Sequence, residues 1–246
     1  AKAVDYVKSR WQVDSVIVNT DGWVLDKDAI IFKRQLIEKI KPTIIIAIQI
    51  ENELAPILEG YKNVVVLPPP PYARKRTRED RKIHREMGYG RYIFPPVELA
   101  LPLDKIPICN LPLFGGVEME DELRRMLTRA IGMPVIKAYQ AGSRVYAIVE
   151  GDVWATKKVG GFQVICLPQD FEKGLLVGLE DKEGFLVGLG VLKKIYYDRR
   201  KAVIYTSSDV ERRLGEVHCV RLGLVRLDDS FNEVEKVPGL LRAEAA

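Results

Sequence analysis

The residues best suited to chemistry in this chain are arginines, concentrated in the segment from Tyr72 to Tyr92. The segment reads YARKRTREDRKIHREMGYGRY and holds eight cations against three acids, whereas the net charge of the whole protein is only +4. Six of these cations are arginines, whose planar guanidinium groups match the geometry of phosphate. The segment therefore favours a polyphosphate or nucleic-acid partner. The alternative is a solvated helix held by i,i+4 ion pairs.

A second candidate site follows the short apolar run Ser15–Asn19, whose β-branched residues predict a buried strand. Thr20, Asp21 and Trp23 would then lie at the carboxyl end of that strand, where open α/β sheets bind their ligands. A tryptophan on such a turn could stack on a nucleobase. The alternative is that Trp23 packs on the core, and its position alone favours neither interpretation.

Other kinds of catalytic site have little support in the sequence. The histidines, His84 and His218, have no neighbouring ligand pattern, and Cys109, Cys166 and Cys219 are widely spaced, which predicts reduced thiols and no metal site. The phosphate-binding motif GxxxxGK[ST] does not occur in the 246 residues. We expect no membrane span, because no run of 18 apolar residues is present, and we expect a cytoplasmic protein without a signal peptide.

The first third of the chain predicts alternating strands and helices. Two further strands are expected at Thr43–Ile48 and Asn63–Leu67, and helices at 28–41, with Asp28 as the N-cap, and at 52–58. Short connections between strands and helices in this order predict a parallel α/β sheet. Three strands make only part of such a sheet, so the remaining strands would lie outside this chain or come from another molecule.

The arginine-rich segment lies between proline-rich connectors. Pro68–Pro71 predicts a stiff, extended spacer, and further prolines follow from Pro95. Between them a helix is predicted over 74–87, ending at Gly88. A charged helix held in this way predicts a mobile flap, residues 68–94.

The second half of the chain predicts a β-rich domain, a barrel or sandwich. One amphipathic helix is expected at Asp121–Ile131. Hairpin connections are predicted at Asp181–Gly184 and Asp198–Arg200. The expected strands are Arg144–Val149, Phe162–Leu167, Leu175–Leu179, Phe185–Tyr197, Ala202–Thr206 and Val217–Leu227.

These motifs together resemble the polynucleotide 5′-hydroxyl-kinase family, the RNA kinases of tRNA splicing and pre-mRNA 3′-end processing, with archaeal members. The resemblance is carried by N-T-D-G-W-V, by the R-x-x-x-R of the basic segment, and by GLLVGLEDKEGFLVGLGVL in the β-rich part, and it covers nearly the whole chain. It implies a kinase that uses ATP or GTP with Mg²⁺ to phosphorylate the 5′-hydroxyl end of RNA, with DNA as another possible substrate. This chain would be its C-terminal portion, lacking the P-loop.

The resemblance also implies domain boundaries and residue roles. Residues 1–104 would end the α/β kinase domain, including its lid at 68–94, and residues 105–246 would form the β-rich domain. Trp23 matches the tryptophan that stacks on RNA, with Thr20 and Asp21 beside it. The expected catalytic residues are the lid arginines Arg78, Arg81 and Arg85, and the residues expected to hold RNA phosphates are Arg74 and Arg76.

Two other functions are compatible with the same residues. One is a non-catalytic RNA-binding or scaffold subunit of an RNA-processing complex. The other is structural, with the basic helix docked on the acidic face of another protein. The low share of Asn and Gln beside many charged residues is typical of a heat-adapted source.

Overall fold

The computed structural model describes residues 1–73 and 77–238. The protein is mixed α/β, and its described strands form three sheets. The chain divides into two compact units, Ala1–Lys75 and Arg76–Ala246. This division lies earlier in the sequence than the predicted boundary between residues 104 and 105. That boundary, between the end of a kinase domain and a β-rich domain, stays a prediction. None of the described helices is long and apolar enough to cross a membrane.

The first unit contains a small parallel sheet and helices. Strand β1 pairs in parallel with β2, with Ile45 opposite Val64, as the predicted strand–helix–strand order requires. The elements are α1 (Lys2–Arg10), α2 (Lys27–Ile40), β1 (Ile45–Ile48), α3 (Ala55–Leu58) and β2 (Val64–Leu67).

Helix α2 begins two residues earlier than predicted. The Asp26 carboxylate accepts a hydrogen bond from the backbone N–H of Ala29 at 2.9 Å, so Asp26 is the N-cap and the prediction of Asp28 was wrong. The helix ends at Ile40, and its C-cap Lys41 has a left-handed φ of 49°. Pro42 follows the C-cap.

The prediction of a strand at Ser15–Asn19 was wrong, because these residues have no strand assignment. Ile17 is 92% exposed. A β-branched apolar run forms a buried strand only where neighbours satisfy its backbone groups and cover its faces. Within the described part of this unit the sheet has two strands and not the predicted three.

The second unit contains two sheets. The six-stranded sheet is antiparallel. In the five-stranded sheet β6 and β8 are parallel neighbours. The strands are β3 (Pro96–Pro102), β4 (Val117–Glu118), β5 (Val135–Ala141), β6 (Arg144–Val149), β7 (Ala155–Val159), β8 (Phe162–Pro168), β9 (Leu175–Glu180), β10 (Leu186–Tyr196), β11 (Lys201–Ser207), β12 (Cys219–Leu227) and β13 (Glu233–Lys236). The strand orders are β13-β12-β9-β10-β11-β3 and β4-β5-β6-β8-β7.

Three α-helices accompany these sheets in the described residues: α4 (Arg78–Ile93), α5 (Asp121–Ile131) and α6 (Ser208–Arg212). The helix α5 has the predicted bounds, and its buried residues Leu127 and Ile131 pack on the five-stranded sheet. Short 3₁₀ turns occupy Tyr197–Arg199 and Leu214–Glu216.

The main core of this unit lies between the two sheets. It joins Leu101 and Leu175 of the six-stranded sheet to Tyr139 and Leu167 of the five-stranded sheet. The described strands therefore form two sheets with a shared core and not one closed barrel. The predicted hairpins are present, since β9 pairs with β10 and β10 with β11.

The strand β3 has no counterpart among the predicted strands, because Pro96 and Pro102 bound it. Proline lacks the N–H that a central strand would donate, so its presence argues against a strand. The structure places β3 at an edge of the six-stranded sheet, where proline is tolerated. The sequence alone does not show that this strand is an edge strand.

Candidate nucleic-acid interface

The turn Thr20–Trp23 precedes α2 and does not follow a strand, so the predicted position at the carboxyl end of a strand was wrong. The Asp21 carboxylate accepts the backbone N–H of Trp23 at 2.9 Å and the Lys33 Nζ at 3.1 Å. Lys33 Nζ also donates to the backbone carbonyl of Asp21 at 2.8 Å. Its side chain is only 6% exposed, so this cation is held against the turn.

These contacts lower the pKa of the Asp21 carboxyl below its usual range, chiefly through the N–H of Trp23 and then through Lys33. Asp21 is therefore ionised at neutral pH and holds the turn together. The Asp21 carboxylate therefore fixes the backbone at Trp23.

The Trp23 side chain is half-exposed, at 47%. Its indole Nε1 donates to Asp26 Oδ2 at 2.5 Å, and its ring centroid lies 6.2 Å from that of Phe32 with a tilt of 34°. Asp26 also caps α2, so one carboxylate fixes both the helix start and the indole. The pKa of Asp26 is lowered, chiefly by the Ala29 N–H and then by the indole. Trp23 therefore combines fixed contacts to Asp26 and Phe32 with a half-exposed surface.

Thr20 is exposed on the same turn, with Oγ1 3.5 Å from the Asp21 carbonyl oxygen. The structure therefore brings together the three residues predicted for the RNA-binding turn. It adds Lys33 and Asp26, which the sequence analysis missed as parts of the site. The signal for both was weak, since a lysine and an aspartate on a helix look like ordinary surface residues.

The helix α4 carries the predicted catalytic arginines. A reciprocal capping box starts it: Thr77 Oγ1 accepts the backbone N–H of Asp80 at 3.1 Å, and Asp80 Oδ2 accepts that of Thr77 at 2.9 Å. Arg74 and Arg76 lie outside the described residues, as does the predicted start of the helix at residue 74.

The prediction that this helix ends at Met87 was wrong, because α4 continues through Gly88 and Gly90 to Ile93. A glycine in a helix costs about 1 kcal/mol relative to alanine. Burial offsets this cost: Ile93 is 0% exposed and packs with Val191 and Leu227, and Tyr89 joins the same cluster. The C-terminal half of the helix is thus fixed on the six-stranded sheet of its own unit.

Arg85 forms a bidentate ion pair with Glu233 on β13. Arg85 Nε lies 2.6 Å from Glu233 Oε1, and Nη2 lies 2.7 Å from Oε2. The Tyr89 hydroxyl donates to Glu233 Oε1 at 3.1 Å, and the Glu233 backbone N–H donates to Glu86 Oε1 at 2.8 Å. Arg85, Glu86 and Tyr89, which lie close together on the helix, therefore all bind a single residue of the sheet.

The ion pair shifts the pKa values of its members. The pKa of the Glu233 carboxyl is lowered, chiefly by Arg85, and the pKa of Arg85 is raised by Glu233. Burial and the Glu233 carboxylate raise the pKa of Tyr89. Arg78, Arg81 and Arg85 are exposed at intervals of three and four residues, so they share one side of α4.

Comparison with known proteins finds one matching family model and several similar curated proteins. The sequence model of the family described as "mRNA cleavage and polyadenylation factor CLP1 P-loop" matches residues 2–94. A polyribonucleotide 5′-hydroxyl-kinase of Pyrococcus abyssi is 31% identical over 235 residues, or 94% of this chain and 64% of the relative. Kinases of the same name from Pyrococcus furiosus and Methanocaldococcus jannaschii are 28% and 27% identical, each over 94% of this chain.

The chain thus spans less than two thirds of the length of these curated relatives, at 64%, 64% and 63%. Among solved structures, the complex of wild-type Clp1p with Pcf11p is similar over 82% of this chain and 43% of that one, with a TM-score of 0.43 and 9% sequence identity. Likeness of that degree does not establish a common fold.

Proposed function

We propose that this chain is the C-terminal part of a polynucleotide kinase that transfers the terminal phosphate of ATP or GTP, with Mg²⁺, to the 5′-hydroxyl end of RNA. One observation carries the proposal: proteins named polyribonucleotide 5′-hydroxyl-kinases align with 94% of the chain, across both of its units. The substrate and the reaction are those that the names of these relatives state.

The arginines of α4 fit the chemistry of phosphoryl transfer. This reaction is catalysed mainly by positioning and by stabilising charge on the transferring group. The helix presents Arg78, Arg81 and Arg85 to solvent on one side, on a segment that is anchored through Tyr89 and Ile93. A cation carried by a fixed helix loses less freedom when it meets a phosphate than one on a loose segment.

The exposed small sheet of the first unit supports a larger protein. Its strands expose apolar residues to solvent: Ile46 is 63% exposed, Ile48 58% and Val66 53%. Exposed apolar surface on a parallel sheet is unusual, because such sheets are covered on both faces. We propose that the rest of the kinase, which carries the nucleotide-binding loop missing from these 246 residues, covers this sheet.

A labelled-phosphate transfer assay tests the proposal. The complete protein, encoded by the full reading frame, should transfer label from γ-labelled ATP or GTP to 5′-hydroxyl RNA, and the 246-residue chain should transfer none. A complete protein that binds RNA but transfers no phosphate would contradict the kinase proposal. Robust transfer by the chain alone would contradict the proposal that the phosphate loop lies elsewhere.

A non-catalytic RNA-binding subunit is the second candidate. It is favoured by the engagement of Arg85 with a carboxylate. For both candidates we propose a role in RNA processing and a cytoplasmic location. They differ in turnover, whereas the salt dependence of RNA binding separates both from a purely structural helix.

A further inference from the structure

A cluster of two thiols and a carboxylate lies in the second unit, away from the helix α4 in the sequence. Cys109 Sγ lies 3.9 Å from Glu180 Oε2, and Cys219 Sγ lies 3.8 Å from the same oxygen. One potential ligand atom from each of the three residues lies within 4.8 Å of the others. The cysteines are far apart in the sequence, so their spacing predicts no site.

We propose that Cys109, Cys219 and Glu180 form a binding site for a thiophilic divalent cation of the zinc class. Thiolates select such metals over hard cations like Mg²⁺. In a tetrahedral site with metal–sulfur distances of about 2.3 Å and metal–oxygen distances of about 2.1 Å, neighbouring ligand atoms lie roughly 3.5–3.8 Å apart. The observed separations of 3.8 and 3.9 Å need only a contraction of tenths of an ångström.

The backbone of the six-stranded sheet positions these ligands. Cys219 and Glu180 are directly opposite each other on β12 and β9. Cys109 joins them because its N–H donates to the carbonyl of Val220 at 2.9 Å, next to the bridge between Ile108 and Val220. Ligands on paired strands are held more precisely than ligands on loops.

The charges around the cluster match a divalent cation. Arg221 donates to both carboxylate oxygens of Glu180, from Nε at 2.5 Å and from Nη2 at 2.9 Å, and so neutralises that acid. Two thiolates then remain to balance two positive charges. The arginine would also orient the carboxylate, as outer hydrogen-bond partners of metal ligands do.

The burial of the three ligands is uneven. Cys219 is 7% exposed, and the Glu180 side chain is 14% exposed, whereas Cys109 opens to solvent. A bound cation would fasten the loop that holds Cys109 to the two strands and would leave its fourth position to water. On binding, each thiol gives its proton to solvent as its sulfur bonds to the metal.

Cobalt binding tests this proposal in the full 246-residue chain, kept reduced with a phosphine. We expect one Co²⁺ per chain, a thiolate-to-cobalt charge-transfer band, displacement by Zn²⁺ and release of protons. Because changes to outer partners of metal ligands cost about 10–100-fold in affinity, C109S and C219S should each weaken binding by more than about 100-fold. R221Q should weaken it by about 10–100-fold.

The third cysteine provides the matched control. Cys166 is buried on β8 of the other sheet, so C166S should keep the cobalt spectrum. If C219S fails to fold, the exposed Cys109 still allows the test. The absence of a saturable thiolate band, an unchanged band in C109S, or a loss confined to C166S would overturn the proposal. The proposal would also be overturned if the reduced chain bound no cobalt while the oxidised chain formed a disulfide between Cys109 and Cys219.

Discussion

Arg85 of α4 and Glu233 of β13 form a bidentate ion pair, with distances of 2.6 and 2.7 Å, across a large separation in sequence. Arg85 is one of the arginines that the family resemblance assigns to catalysis, and the ion pair engages its guanidinium group. The Glu233 side chain is only 9% exposed, whereas that of Arg85 is 44% exposed. The pair therefore anchors the helix, and Arg85 keeps access to solvent for a phosphate to compete with Glu233.

The first prediction concerns the anchor. E233Q should lower the free energy of unfolding by about 1 kcal/mol at neutral pH, since the pair is bidentate but partly solvated. Because Arg85 lowers the pKa of Glu233, this contribution is complete above the ordinary glutamate pKa of about 4.3. It disappears as the pH falls through the lowered native pKa. Urea unfolding from pH 7 downward measures the difference between wild type and E233Q.

The control for this prediction is E235Q on the same strand. Glu235 pairs with Arg226 and not with α4. Hydrogen exchange of the α4 amides should accelerate in E233Q and stay unchanged in E235Q. A difference from wild type that persists undiminished below about pH 3 would show that the ion pair is not its source.

The second prediction concerns catalysis by the lid arginines in the complete kinase. R81A or R85A should lower turnover far more than RNA affinity, because an arginine that contacts only the transition state contributes mainly to kcat. R74A and R76A should instead weaken RNA binding and reduce its salt dependence. If all four variants keep turnover within about threefold, a change under roughly 0.7 kcal/mol, the lid is not catalytic.

The variant E233Q separates two explanations for any loss in R85A. If Arg85 acts only by anchoring the helix, E233Q should reproduce the loss of turnover. If Arg85 contacts the transferring phosphate, E233Q should retain turnover or increase it, because the guanidinium of Arg85 is released from the ion pair. Turnover and RNA affinity are measured separately for both variants.

The third prediction concerns Trp23. Because Trp23 is half-exposed beside a hydrogen-bonded turn, W23A should weaken single-stranded RNA binding by about 1–3 kcal/mol. The melting temperature should change little. Trp11 is a matched control in the same unit, since it is 52% exposed, and W11A should leave RNA affinity unchanged. A large drop in melting temperature at unchanged affinity would assign Trp23 to packing alone.

The fourth prediction concerns Lys33, which stabilises the turn by donating hydrogen bonds to Asp21. K33M removes two hydrogen bonds to Asp21 and should lower the stability of the first unit by about 1–3 kcal/mol. RNA affinity should fall with it, because the turn that holds Trp23 loosens. The same substitution at the exposed Lys39 of this helix, K39M, should change neither quantity. Equal losses in both variants would remove Lys33 from the site.

Local patterns predicted the elements whose residues interact with near neighbours. The helix α5 has the bounds that its amphipathic spacing indicates, and β6 coincides with the predicted strand Arg144–Val149. The secondary-structure predictions were wrong where contacts with residues distant in the sequence determine the structure. Ser15–Asn19 has strand composition but no strand beside it, and α4 continues past Gly88 because Ile93 is buried on a sheet.

The sequence by itself determined the concentration of arginine, the helical character of the segment that carries it and the β-rich character of the second half, because these depend on composition and on residues within one turn or hairpin. Only the tertiary structure decided that Arg85 meets Glu233, that Lys33 supports Asp21, and that Cys109 lies beside Cys219. Each of these contacts depends on strand order and register or on the packing of a helix. Those features are set by the burial of many side chains at once and have no local signature.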